Sequence, residues 1–565
     1  MKINRLIALI AALTMTVSAS SCRLRNFKDK NVDDTHESES SDSASEKNEV
    51  DEKSTKEKTI KKSESQNENS GNDQEGYTDS SPELDDIKAH IQNLIDDSSK
   101  TGNSEAVITD VDTIINDIDV MYEDMSKLSL DYTVNWGDED VEAEYDKAQE
   151  TLTIAFNLAE YAFCRCAKID EYADIVEPYI DENLFEEFSA AGMNMKRIEG
   201  YTKVDFEIKD EYLDRYYDIA YDDSLDDDEK DIRAAELYLE LLDEYDTETF
   251  YDSFHRDYSP ELVLELSETV RSEMSPACDA LLDALRDTKG VKALYDDTLW
   301  FESPFEMIAE YSPQLTYEID NAAKVINDEK LYELCSGDDS YTGSFTTFLP
   351  LENRGIVYVY DSGDYSTLST AIHEFGHFYA YFDDTLPTFT LSENIDIAEV
   401  QSQGFEFIFT RFYDDIYGEY ADLMKLVTLY NICGAVTSGF EVGEFEYTVL
   451  KNKDSMTAEE VVEKFDEIVG DDTGFHFWYV SHMFENPGYY ISYGVSALAA
   501  FDIWRDEMTD EDKALDKYIK ICRVSSLDSS RHFQEALDEC GFENVMSEEY
   551  ITELAEELID YADNL

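Results

Sequence analysis

Five consecutive residues, His373-Glu374-Phe375-Gly376-His377, carry the densest chemistry in the chain. On a helix, histidines four apart lie one turn above each other on the same face, so both imidazoles can bind one zinc ion. The glutamate after the first histidine can reach the remaining, water-filled position as a general base. The flanks predict a buried helix over Thr367 to Phe382, with Leu368, Ile372, Phe375 and Tyr379 at helical spacing and Asp364 offering a capping oxygen. Gly376, a poor helix former, leaves room for a close neighbour near the metal. The plainer alternative is an amphipathic helix with two satisfied core histidines.

Zinc needs a further protein ligand. A metzincin-like arrangement would use Asp383, but it requires a glycine turn where this chain has Ala380. A carboxylate on a downstream helix is the alternative, with Glu393, Glu399 and Glu406 competing. Glu399 stands among Ile395, Ile397, Ala398 and Val400, a setting that costs a carboxylate dearly unless it meets a cation. Glu393 reads as a loop or cap residue. Ser402 and Glu406 lie further along the face of Glu399 and suit the role of orienting the ligands. Peptide chemistry also needs donors for a developing oxyanion. His476 to Tyr493 concentrates His482, Tyr489, Tyr490 and Tyr493; the plainer reading is an aromatic core segment with a turn at Asn486-Pro487-Gly488.

The elements that must position these groups are mostly helical. Leu84 to Ile95, Val107 to Leu128 and Val141 to Ala167 show helical periodicity, as do Tyr212 to Tyr221, Ile232 to Tyr245, Leu262 to Leu285 and Tyr317 to Tyr332. Downstream helices are predicted over Ile395 to Tyr413, Thr457 to Val469 (opened by a Thr457/Glu460 capping box), Ser496 to Glu507, Asp512 to Val524 and Tyr550 to Tyr561. Gly343 to Tyr360 breaks the pattern. Its β-branched and aromatic runs predict two strands just before the histidine helix, whose edge could pair with an extended peptide. The acidic run Asp222 to Asp231 lacks the glycine of a calcium loop and reads as a solvated helix start.

The chain of 565 residues has 131 acidic and 44 basic side chains, for a formal charge of −87, which argues against nucleic acid and anionic membrane as partners. Lys2 and Arg5 followed by the apolar run Leu6 to Val17 read as an export signal, too short to span a bilayer. Ala19-Ser20-Ser21-Cys22 resembles a bacterial lipobox, so Cys22 is expected to carry a lipid anchor at the cell surface; cleavage after Ala19 would instead give a secreted protein. Residues 23–82 are low-complexity and predict a disordered polar tether, and 83–565 the helical domain. Seven cysteines remain beyond Cys22, scattered and without a C-x-x-C, which predicts no disulfide framework.

GSFTTFLP…GIVYVYDSGDYSTLSTAIHEFGH, AEVQSQGFE and SHMFENPGYYISY together resemble the thimet oligopeptidase and oligoendopeptidase F family of zinc peptidases. DKYIKICRVSSLD…FQEALDECGFE resembles the close of the oligoendopeptidase F branch, and the clear resemblance spans 343–542. The resemblance implies a mainly α, two-lobed shell around a deep channel, with a small sheet beside the zinc helix, that admits oligopeptides and excludes folded proteins. It implies one zinc per chain on His373, His377 and Glu399, and Glu374 as general base. It implies His482, Tyr490 and Tyr493 at substrate and oxyanion, with Tyr489 as the alternative. Gly343, Ser344, Phe345 and Thr346 would lie on the peptide-pairing strand. Ala380, Gln401 and Gln403 depart from the usual pattern. The leading expectation is therefore an exported zinc endopeptidase for short unfolded peptides. A zinc carboxypeptidase or dipeptidase on a related scaffold is one alternative, a catalytically silent peptide-binding lipoprotein the other.

Overall fold

A computed structural model describes residues 82–180, 194–222, 224–337, 340–386, 388–391, 393–470, 475–528 and 530–564. The export signal, Cys22, the tether, Asp223 and the helix-stopping Pro387 lie outside the described residues.

The first described layer is three helices, α1 (Pro82–Ser98), α2 (Ser104–Val134) and α3 (Glu139–Ala167). Asp138 caps α3 by accepting from the Asp140 and Val141 N–H groups. Apolar residues at helical spacing, Leu84, Ile87 and Ile91 on α1 and Val107, Val111 and Ile114 on α2, fill one core with Leu152 and Phe163 of α3. Phe348, Tyr381, Phe389 and Leu391 from the second half of the chain complete that core. The Phe156 and Phe389 rings stack at 4.3 Å. This is the smaller lobe.

The larger lobe has its own core, running from Tyr216 to Leu558. It opens with α4 (Met195–Ala220), α5 (Asp227–Leu242), α6 (Pro260–Thr269), α7 (Ser275–Asp287), α8 (Pro304–Tyr311) and α9 (Tyr317–Asp328). Asp226 caps α5, but the acidic run before it is not wholly solvated, contrary to the sequence reading. Asp231 is buried because it accepts from the Trp478 N–H and pairs with His476 Nδ1 at 2.7 Å.

Three strands follow: β1 (Tyr332–Cys335), β2 (Phe345–Leu349) and β3 (Arg354–Tyr360). The sheet order is β1-β3-β2, with β1 parallel and β2 antiparallel to β3. The sequence reading gave the last two strands; it carried a helix through to Tyr332, where the structure has β1. The helix ends at Asp328, and Lys330, at φ 59°, turns the chain into the strand.

After the sheet in the chain come α10 (Ser366–Tyr381), which packs on it, then α11 (Ile395–Phe409), α12 (Ala421–Asn452), α13 (Ala458–Phe465), α14 (Ile491–Glu507), α15 (Glu511–Cys522), α16 (Phe533–Cys540) and α17 (Glu548–Asp563). The predicted capping box of Thr457 and Glu460 opens α13. Helix α12 was not anticipated, because it is apolar nearly all round and shows little periodicity. The span Ile395–Ser455 is apolar enough to cross a membrane by composition, but 83% of its most apolar window is buried inside, as in a core helix. Gly439 of α12 and Gly494 of α14 touch backbone to backbone, where an added Cβ would sit 2.5 Å from the Gly494 nitrogen. The cysteines at 164, 166, 278, 335, 433, 522 and 540 are all free thiols.

Candidate active site

Helix α10 carries His373, Glu374 and His377, and its first turn is held by Asp364, whose Oδ1 accepts from the Ser366 N–H at 3.0 Å. Helix α11 crosses it at Gly376. A Cβ there would come within 2.6 Å of Ser402 Cα and 2.8 Å of the Gln401 carbonyl oxygen. The room left by the missing side chain is thus filled by the helix that brings Glu399. Asn394 starts α11 by accepting from the Ile397 N–H.

This crossing converges three donors. One ligand atom each from His373, His377 and Glu399 lies within 4.8 Å of the others, so the three form a group able to hold a metal ion. Glu399 Oε2 is 3.4 Å from His373 Nε2 and 3.9 Å from His377 Nε2. Two of the three donors are held by a further hydrogen bond, His373 through the nitrogen turned away from Glu399 and Glu399 through the same oxygen that faces the histidines. Glu406 Oε1 takes His373 Nδ1 at 2.9 Å, and the Ser402 hydroxyl donates to Glu399 Oε2 at 2.9 Å. A ligand held by such a bond is kept from rotating away.

His377 tests whether a metal fits. It is 3% exposed, and among the described residues neither ring nitrogen has a hydrogen-bond partner. Burial first, then the neighbouring His373, pull its pKa down to about 4 against the attraction of Glu399, so it stands neutral with a lone pair to give. Burial would raise Glu399, but the hydrogen bond and charge of His373, with the Ser402 hydroxyl contributing, reverse this and hold it below the usual carboxylate range. Burial would lower His373, yet its bonds to Glu399 and Glu406 outweigh that and raise it well above its ordinary value. Two imidazoles and an anionic carboxylate in a dry site make a suitable donor set for a divalent cation such as zinc. They fit.

Glu374 is 1% exposed and accepts from the Thr346 hydroxyl at 2.8 Å through Oε2. Thr346, expected beside the substrate, therefore holds this carboxylate with its side chain. Ser344 Oγ accepts from the Tyr360 N–H at 3.0 Å, and Phe345 stacks on Tyr358 at 5.6 Å. For these residues and Gly343, the main chain of the sheet's edge strand is what remains to meet a peptide. Asp383 lies past the end of α10 at φ 66° and is not in the donor group. Glu393 accepts from the Tyr381 hydroxyl instead, and burial lifts its pKa to about 7. Gln401, a departure from the expected pattern, donates to the Ile521 and Val524 carbonyls and ties α11 to α15.

The aromatic segment gathers around His482. Its ring centroid lies 5.6 Å from Tyr489, 5.6 Å from Tyr490 and 5.8 Å from Tyr493, and Tyr493 Oη is 3.4 Å from His482 Nε2. Burial, with the charge of Glu399 contributing, holds the Tyr489 and Tyr493 hydroxyls far above their ordinary pKa, so both stay protonated. The Tyr489 and Tyr493 rings meet edge to face at 5.6 Å.

A buried arginine missed by the sequence reading ties this segment to α11. Arg256 pairs with Asp396 at 3.2 Å, their side chains 0% and 1% exposed. It also donates to the Gly488 carbonyl and to Ser492 Oγ, each at 2.7 Å. From the other side, Glu446 of α12 accepts from the Gly488 N–H at 2.8 Å. Tyr258 donates to Asp396 at 2.8 Å. Asp396, three residues before Glu399 in an apolar stretch, was the one local signal of a buried cation.

No family model matches the sequence, and no curated protein matches it. Solved structures do. An oligoendopeptidase F structure determined at 3.1 Å superposes with a TM-score of 0.67 at 18% identity, covering 86% of this chain and 97% of its own. PZ peptidase A bound to an inhibitor gives 0.68 at 16% identity, covering 86% and 98%. An oligoendopeptidase F from Bacillus anthracis gives 0.64 at 15% identity over the same shares. The chain has the helical fold of these peptidases along nearly their full length.

Proposed function

We propose that the protein is a zinc metallo-endopeptidase that hydrolyses short, unfolded peptides. The observation that carries this reading is the His373, His377 and Glu399 group, with His377 and Glu399 buried and both His377 nitrogens unpartnered among the described residues, beside a carboxylate that Thr346 holds in place. The peptidase fold supports it.

His373, His377 and Glu399 would hold the zinc, which supplies Lewis acidity toward water and the peptide carbonyl. Glu374 takes the proton of the attacking water as the new C–O bond forms, and passes it to the leaving amine as the C–N bond breaks. His482 and the hydroxyls of Tyr493, Tyr490 or Tyr489 donate to the carbonyl oxygen as it gains negative charge. The edge strand β2 offers main-chain hydrogen bonds that read the peptide backbone and not its side chains. An intact base argues for an enzyme over a silent binder. Cleavage of a quenched-fluorescent peptide library, lost with chelator and regained with zinc, tests this; cleavage that persists in fully chelated protein overturns it. The lipobox-like Ala19 to Cys22 supports a place outside the cell, tested by fatty-acid labelling that Cys22→Ala should abolish.

A further inference from the structure

One face of the sheet is matched to one face of α10. Glu374, Phe378 and Tyr381 recur at four and three residues, so they line one side of that helix. Each meets a partner on the sheet. Thr346 of β2 donates its hydroxyl to Glu374 Oε2 at 2.8 Å, and Phe348 meets the Tyr381 ring edge to face at 5.8 Å. Gly355 of β3 lies against Phe378, whose Cδ2 would be 3.4 Å from an added Cβ. Thr346, Phe348 and Gly355 share this side of the sheet because Phe348 pairs with Gly355 and side chains alternate along a strand.

A glycine inside a strand weakens it and marks a close approach. At Gly355 the approach is that of Thr346: an added Cβ would come within 2.9 Å of Thr346 Cγ2. Carbons in contact rest at about 3.5–4.0 Å, so the hollow at 355 is what seats the threonine methyl. A β-branched side chain is stiff at χ1, and seating the methyl therefore also fixes where the hydroxyl points. It reaches Glu374 twice, at the carboxylate and, at 3.1 Å, at the main-chain carbonyl oxygen. A hydroxyl within reach of both holds the side chain of Glu374 against its own backbone.

We infer that Gly355 is a positioning residue for the general base and acts through Thr346: the missing side chain seats the methyl, and the seated threonine orients the Glu374 carboxylate for proton transfer. The inference rests on the peptidase reading of this site. Thr346 also lies on the strand proposed to pair with the peptide. One residue would thus meet the substrate with its main chain and hold the base with its side chain. A shift of β2 then moves substrate and base together and preserves their separation.

The test compares wild type with Thr346→Val, Thr346→Ser, Gly355→Ala and the double variant Thr346→Ser/Gly355→Ala. Each is measured for kcat, KM, bound zinc and Tm, with cleavage assayed well below Tm. Thr346→Val keeps the seated methyl and removes the hydroxyl, so kcat should fall about tenfold to a hundredfold, with KM within about twofold and zinc unchanged. Gly355→Ala should lower kcat about tenfold, because its new methyl displaces that of Thr346. Serine has no such methyl. Adding Gly355→Ala to Thr346→Ser should therefore cost little, and the double variant should turn over faster than Gly355→Ala alone. A purely structural role would lower Tm and leave kcat near normal. That result, normal kcat in Thr346→Val, equal losses from Gly355→Ala in both backgrounds, or zinc lost in step with turnover overturns the inference and leaves the peptidase reading intact. If wild type cleaves no peptide, the peptidase reading fails and, with no base to position, this inference fails with it.

Discussion

The donor group on α10 and α11 and the aromatic segment from His482 to Tyr493 share one core but are held in opposite ways. The donors are fixed locally. Two helices cross at Gly376, and Glu406 and Ser402, on the helix of the third donor, bond His373 Nδ1 and Glu399 Oε2. The aromatic segment is fixed remotely: Gly488 is gripped at its carbonyl by Arg256 and at its N–H by Glu446, residues distant in sequence. The proposed metal group is thus built from helix periodicity, and the proposed oxyanion group from a buried charge network.

Perturbing the donor helix at its base should have the largest effect. Glu374→Gln keeps the shape and the Thr346 contact but removes the proton acceptor, so turnover should fall about a hundredfold to ten-thousandfold with metal content unchanged. A near-normal rate would assign the base elsewhere.

On the aromatic side, Tyr493→Phe, Tyr490→Phe and His482→Phe delete donors with little change in packing. If these groups meet a developing oxyanion, loss of the operative donor costs about a hundredfold to a thousandfold in turnover, with KM little changed. Normal turnover in all three would reduce the segment to packing.

These two regions also differ in how far the sequence disclosed them. Histidines four apart and a carboxylate in an apolar stretch are visible in a single window, so His373, His377 and Glu399 could be nominated directly. The helix-strand-helix order around them was equally legible from periodicity. Arg256 was not. It sits between Phe254 and Tyr258 with no local pattern, and its partners Asp396, Gly488 and Ser492 come from two other regions of the chain. Strand β1 and helix α12 escaped for related reasons, the strand being four residues long and the helix buried on nearly every face.

The remote network can be broken without touching a proposed ligand. Arg256→Met leaves Asp396 buried and unpaired, which should cost about 3–5 kcal/mol of stability. Arg256→Met combined with Asp396→Leu should recover much of that stability. Turnover should stay depressed in both by about a hundredfold, because the Gly488 carbonyl is no longer held by Arg256. Recovery of turnover along with stability would make the network purely structural.

The smallest effect expected is a pH dependence of stability from Glu446. Burial raises its pKa to about 7 despite the Gly488 N–H, the charge of Arg256 and the Tyr238 hydroxyl. The folded state therefore binds more protons than the unfolded chain between the ordinary carboxylate range and about pH 7, and this group's contribution to stability falls as pH rises through that window. Glu446→Gln should flatten this part of the melting-temperature profile relative to wild type; an unchanged slope would mean the carboxyl titrates normally.

Metal content tests the central claim most directly. Purified wild-type protein, Glu399→Ala and Asp383→Asn are dialysed against zinc and assayed for bound metal and for peptide cleavage. The asparagine control suits the left-handed backbone at 383. Wild type and Asp383→Asn should hold about one zinc per chain and cleave peptide, while Glu399→Ala should hold little and cleave none. Stoichiometric zinc in Glu399→Ala, or its loss in Asp383→Asn, would contradict the assignment of the donor group.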